Sequence, residues 1–219
     1  MILKILETGP LMVNCYIVAD EETKEAVIFD PGGDADKILK ALEEDGLKAK
    51  YIINTHTHFD HTGGNKQLQD ATGAPILTHR DEAPGLSSAK SEAAMFGIGI
   101  DNSNASQFLE AGDVIEIGSI RFEVLDLKGH SPASLGFLFE GEIELGDKKA
   151  IRKVVICGDA LFSGSIGRTD LSGGNMELLL ENIRTKIFTL PDDTVVLSGH
   201  GPATTVGREK SYNPFFQSY

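Results

Sequence analysis

Tryptophan is absent from this chain of 219 residues, and cysteine occurs only twice, at Cys15 and Cys157. Two thiols in a chain of this length make no disulfide scaffold. They read better as two buried small hydrophobes than as a single bridge. Basic residues are few: 20 Lys and Arg stand against 33 Asp and Glu, a net charge of −13. A nucleic-acid binder needs a basic face for the phosphate backbone, and attachment to anionic lipid needs basic residues as well, so both classes are disfavoured. No apolar run approaches the ~20 residues that span a bilayer. The opening MILKILETGPLMVNCY holds no signal-peptide core, and no small-residue cleavage site follows it. These absences lead to the expectation of a cytoplasmic protein with neither nucleic-acid nor membrane partners. They leave the oligomeric state open.

What is present is a globular composition, with 41% hydrophobic and 24% charged residues, so wholesale disorder is excluded. Short apolar runs at 3–7, 15–18 and 26–29 predict an antiparallel meander, and Asp30-Pro31-Gly32-Gly33 marks a sharp turn after it. Asp34 sits where a helix N-cap belongs, Ile38, Leu39 and Leu42 share one helical face, and Gly46 stops that helix. A strand at 51–53 runs into Thr55-His56-Thr57-His58. A helix over 64–71, a strand at 75–78 and a partly helical, mobile cover over 81–107 follow. Strands return at 114–117, 121–125, 135–139, 154–156 and 194–197, with a hairpin loop over 140–152 and one amphipathic helix over 176–188. No repeat and no Pro/Ser linker divides the chain. It reads as one α/β domain over residues 1–219, with sheets inside and helices outside.

Three of the six histidines fall within six positions, as His56-x-His58-x-Asp60-His61 at the end of a strand. An i, i+2 pair on extended chain sends both imidazoles to one side. Imidazole and carboxylate together suit Zn, Mn or Fe. A pH-sensitive surface patch is the blander alternative, but this spacing is rare by chance and metal binding fits it better. His130, Asp159 and His200 each lie beside a glycine at the end of an apolar strand. Taken singly, each is more often a hydrogen-bonded structural residue than a ligand. His79 has no cluster and reads as structural or exposed. No nucleophile-elbow pattern offers a serine or cysteine alternative.

The string THTHFDHTGG resembles the HxHxDH signature of the metallo-β-lactamase superfamily. FDPGG at 29–33, LKGHSPAS around His130, ICGDALF around Asp159 and LSGHGP around His200 match that family's elements in order, and the resemblance runs from NCYIV to NPFF. It implies a four-layer αββα sandwich holding two divalent metal ions, Zn foremost, with Fe or Mn also suited. Carried over by position, His56, His58 and His130 bind one ion, Asp60, His61 and His200 bind the other, and Asp159 bridges them. The string LFSGSIGRTDLSGGN at 161–175 is similar to the glyoxalase II-like, hydroxyacylglutathione hydrolase-like branch. In that branch, residues similar to Arg168 and Asp170 stand beside the metals, here read as a buried ion pair shaping a loop. The implied activity is hydrolysis of a small-molecule thioester such as S-lactoylglutathione, or an ester, by a hydroxide shared between the metals, with Asp60 catalytic. The helical C-terminal extension that contacts glutathione in full-length glyoxalase II has no counterpart in the 19 residues after His200. A rival within the superfamily is a persulfide dioxygenase using one iron on His56, His130 and Asp159.

Overall fold

The computed structural model describes residues 1–145 and 148–217. By their internal contacts these residues form two compact units: one holds 1–109 and 117–119, the other 110–116 and 120–217.

The first unit is built on a six-stranded sheet of β1 (Ile2–Thr8), β2 (Val13–Ala19), β3 (Glu25–Phe29), β4 (Lys48–Ile53), β5 (Ile76–Thr78) and β6 (Gln107–Phe108), in that spatial order. The β1–β2 and β2–β3 pairs are antiparallel, which is the expected meander, and the β3–β4, β4–β5 and β5–β6 pairs are parallel. Parallel strands release their C-terminal ends at one edge. The segments beginning at Asp30, Asn54 and His79 therefore leave the sheet at the same edge. Helices α1 (Ala35–Glu44), α2 (Phe59–Thr62), α3 (Asn65–Thr72) and α4 (Ala83–Ala94) fill the connections. Ile38 and Leu42 of α1, Leu68 of α3 and Leu86 of α4 pack with Cys15, Ile17, Ile28, Ile52 and Ile76 of the sheet. Asp34 stands at the predicted N-cap position but does not cap. Its backbone is left-handed, at φ 48°, and its carboxylate instead accepts the Gly9 N–H at 2.9 Å.

The second unit carries a six-stranded sheet of β7 (Val114–Ile117), β8 (Ile120–Asp126), β9 (Leu135–Leu145), β10 (Lys148–Gly158), β13 (Val195–Ser198) and β14 (Thr204–Thr205). The small hairpin β11 (Leu161–Phe162)–β12 (Ser165–Ile166) stands apart from it. The expected loop over 140–152 is mostly strand: β9 and β10 stay paired from Phe137↔Ile156 out to Leu145↔Lys148, and only 146–147 lie outside the described residues. Alternation of exposed Glu140 and Glu142 with buried Gly141 and Ile143 suits an extended ribbon, a period the charge change obscured. The expected helix over 176–188 is α5 (Met176–Asn182) running into a π-turn over Ile183–Ile187, closed by the Phe188 N–H on the Ile183 carbonyl at 2.9 Å. Its buried residues Leu179, Ile183 and Ile187 recur every four positions. A wider, i→i+5-bonded turn keeps that spacing on one face. Helix α6 (Val206–Tyr212) follows β14.

In the second sheet β10 and β13 are parallel, while β9 is antiparallel to both β8 and β10. The ends of β8, β10 and β13 therefore share one edge, and His130, Asp159 and His200 follow those three ends. Cys15 and Cys157 are free and buried. Burial pushes the Cys157 thiol up to about 12, which leaves it unreactive at neutral pH. Among the described residues no helix is long and apolar enough to cross a membrane.

Candidate metal centre

In the first unit β4 ends at Ile53 and the chain leaves the ladder after Asn54, whose N–H still bonds the Leu77 carbonyl. His56, His58, Asp60 and His61 then follow within one turn of chain. The His56 ring stands 4.7 Å from that of His58 and 4.1 Å from that of His61, centroid to centroid. Asp60 Oδ2 lies 3.8 Å from His61 Nε2. His56 and His61 are fully buried.

Asp30 holds this turn from beneath. Its backbone is left-handed at φ 47°, an uncommon state for a non-glycine residue, and it turns a buried carboxylate toward the histidine segment. That carboxylate accepts the Thr55 N–H and the Thr55 hydroxyl, both at 2.7 Å, and lies 3.2 Å from His61 Nδ1. The Thr55 hydroxyl has one hydrogen and gives it to Asp30. It therefore accepts from His56 Nδ1, 3.1 Å away, which makes Nε2 the basic nitrogen of His56. Asn54 Nδ2 donates to the His61 carbonyl at 3.0 Å, and Asn54 Oδ1 accepts from Asn65 Nδ2 at 2.7 Å.

In the second unit His130 Nδ1 lies 2.8 Å from the Arg168 carbonyl. A carbonyl only accepts, so His130 Nε2 is again the basic nitrogen. It faces Asp159 Oδ2 at 3.7 Å, and His200 Nε2 lies at the same 3.7 Å from that oxygen. These separations are too long for hydrogen bonds. They are near the ~3–3.6 Å expected between two donor atoms that share one cation at ~2.1 Å. The donor chemistry of both units thus fits a metal ion: basic nitrogens beside carboxylate oxygens, with the Nδ1 side of three imidazoles against an oxygen, the arrangement typical of ligating histidines.

Arg168 and Asp170 lie next to this group, but their ion pair is exposed rather than buried, at 60% and 68% side-chain exposure. The guanidinium hydrogen bond holds Asp170 down at about 2. The Arg168 contact to His130 runs through its carbonyl and needs no particular side chain. Gly167 explains why the GRTD string stands where it does. A Cβ there would lie 1.8 Å from the Asp159 carbonyl oxygen and 3.0 Å from His130 Nδ1. His79 is structural, as expected: its Nδ1 accepts the Asp81 N–H at 3.1 Å, just before α4.

Sequence reasoning took Asp30 only as part of a turn and of the FDPGG element, and passed over Asn54 and Asn65. The signals for Asp30 were an acidic residue placed directly at a strand end and its place in the FDPGG string.

The fold and these groups define a metal-dependent enzyme of the metallo-β-lactamase type, and the chain belongs to that superfamily: the Metallo-beta-lactamase superfamily model matches residues 8–200. Among relatives, the probable metallo-hydrolase YqgX of Bacillus subtilis is 37% identical over 98% of this chain and 97% of its own. The hydroxyacylglutathione hydrolase GloC of Haemophilus influenzae is 36% identical over 100% and 99%. Among solved structures, the BLEG-1 B3 metallo-β-lactamase gives a TM-score of 0.86 at 37% identity, covering 99% of this chain and 100% of its own. TTHA1623, solved in a di-iron-bound form, gives 0.82 at 34%, covering 97% and 99%. ETHE1 from Myxococcus xanthus gives 0.79 at 29%, covering 98% and 84%. The α/β fold with two sheets is thus the one the resemblance implied.

Proposed function

We propose that the two units act as one catalytic domain, a metal-dependent hydrolase cleaving a small-molecule thioester of the S-lactoylglutathione kind. The observation that carries this reading is the Asp159 oxygen 3.7 Å from both His130 and His200, a carboxylate within reach of an ion that either histidine would hold. Support comes also from the family match across both units and from the likeness to GloC along the whole chain. His56, His58 and His130 would hold one ion, Asp60, His61 and His200 the other, with Asp159 between. Two such cations, when bound, supply Lewis acidity that acidifies a water and polarises a carbonyl. The chain's own residues do the rest. Asp60, whose side chain keeps 12% exposure, accepts the proton of the attacking water. The sulfur leaves as thiolate, so cleavage needs no protein acid; the proton held on Asp60 then passes to the thiolate, and the products are a carboxylic acid and the free thiol. Zinc is the proposed ion. The likeness to a di-iron protein makes iron the first alternative. The site of action is proposed to be the cytoplasm.

A second reading, the one-iron persulfide dioxygenase on His56, His130 and Asp159, is favoured by the likeness to ETHE1. The experiment is S-lactoylglutathione hydrolysis by wild type and His58→Ala, alongside oxygen uptake with glutathione persulfide. The hydrolase reading expects thioester cleavage that falls sharply in a folded His58→Ala. Rapid oxygen uptake without thioester cleavage would replace it with the second reading.

A further inference from the structure

Past Asn54 no strand ladder holds the backbone that carries His56 and His58, yet the two side chains must keep a fixed spacing to share an ion. Thr55 is held by Asp30. The residue between the two histidines, Thr57, is held from another element. Glu82, the residue before α4, lies 25 positions away and is 4% exposed. Its Oε2 accepts the Thr57 N–H at 3.0 Å. The Thr57 hydroxyl lies 2.7 Å from the Glu82 carbonyl and 3.0 Å from Oε2, and it donates into that pair. A buried carboxylate is costly unless well hydrogen-bonded, so this one is tied to the segment it meets.

A second observation concerns the same contact. Gly85, in the first turn of α4, stands so close to Thr57 that a Cβ there would lie 2.2 Å from the Thr57 Oγ1 and 3.0 Å from its carbonyl oxygen. The first turn of α4 therefore grips Thr57 by a carboxylate on one side and a bare backbone on the other. From this we infer that Glu82 is a positioning residue, which through Thr57 fixes the spacing of His56 and His58 and so sets the affinity of the ion they hold. The inference rests on the proposed metal-binding role of those two histidines.

Shape and charge separate in two variants. Glu82→Gln keeps an oxygen at the right reach and removes the charge. Glu82→Asp keeps the charge and falls one methylene short of the Thr57 N–H. Co(II) is titrated into metal-free full-length protein, its absorption bands are followed, and affinity is read by competition with a chelator. A positioning role expects Glu82→Asp to weaken Co(II) binding by about 10–100-fold, with altered bands, and Glu82→Gln to stay within about threefold of wild type. Equal affinity and bands in wild type and Glu82→Asp would overturn it. So would a Glu82→Gln as impaired as Glu82→Asp, since an oxygen at the right reach would then not suffice to hold Thr57. Should Glu82→Asp fail to fold, Gly85→Ala displaces Thr57 independently: weakened Co(II) binding supports the inference, and wild-type binding overturns it. A wild type that binds no metal at all would instead sink the proposed hydrolase.

Discussion

Replacing Asp30 by alanine removes the carboxylate that anchors the first half of the candidate metal centre. Two hydrogen bonds disappear, both at 2.7 Å and both to a charged acceptor, and the 3.2 Å contact to His61 Nδ1 goes with them. Hydrogen bonds to charged groups contribute about 1.5–3 kcal/mol each. These two end on one residue, Thr55, so their losses are not additive. Alanine also tolerates the left-handed backbone at φ 47° less well than aspartate does. The sum expected is a loss of about 3–5 kcal/mol, within the range reserved for broken buried networks. At ~2–4 °C per kcal/mol for a chain of this size, the melting temperature of the metal-free protein should fall by roughly 10 °C. Metal affinity should fall about 10–100-fold, because Asp30 orients His61 directly and His56 through Thr55. Urea titrations with chelator and with saturating metal separate the two effects. A weakening of that size lowers the metal-dependent gain in stability at fixed metal concentration by about 1.4–2.7 kcal/mol. An Asp30→Ala protein with wild-type stability in chelator and a wild-type gain on metal addition would refute the reasoning.

Two further outcomes follow from the same contacts. Gly167→Ala places a methyl group where the Asp159 carbonyl already stands, so Asp159 and His130 must shift. The folded variant should lose bound metal, and wild-type metal content in it would show that the GRTD segment does not set those ligands. Asp20 is a pH probe far from the histidines: the Thr23 N–H, then the Ser119 hydroxyl and N–H, hold its carboxyl well below the usual range. Its stabilisation is therefore present above its unfolded value near ~3.9 and is lost as the pH falls toward its folded value. The gap in urea midpoint between wild type and Asp20→Asn should be constant from pH 7 to 5 and close below pH ~4; a gap that ignores pH would contradict it.

The strands and the ligand string were legible because each is a local pattern. The apolar run at 15–18 was legible because it lies inside β2, all seven of whose residues are buried, and THTHFDH packs four donors into six positions. The strand ends that precede His130, Asp159 and His200 were legible too, as glycines beside polar residues. What was not legible depends on partners remote in sequence. Glu82 meets Thr57 across 25 residues, and nothing in HRDEAPG distinguishes it from a solvated acid. Asn54 and Asn65 appear as ordinary polar residues until they meet each other and His61. The ion pair Arg168–Asp170 was expected to be buried because charged pairs near a centre invite that reading. Its exposure instead throws the weight onto the Arg168 carbonyl and onto Gly167. The strand stretch at 140–152 was missed because a change of charge sign along the chain resembles a loop more than a twisted ribbon.

The most direct test is a count of tightly bound metal ions per chain, by elemental analysis of protein purified without chelator, for wild type and Asp159→Ala. The account predicts two ions per wild-type chain and a variant that retains at most one. A wild type carrying none, or a folded Asp159→Ala that still carries two, would contradict it.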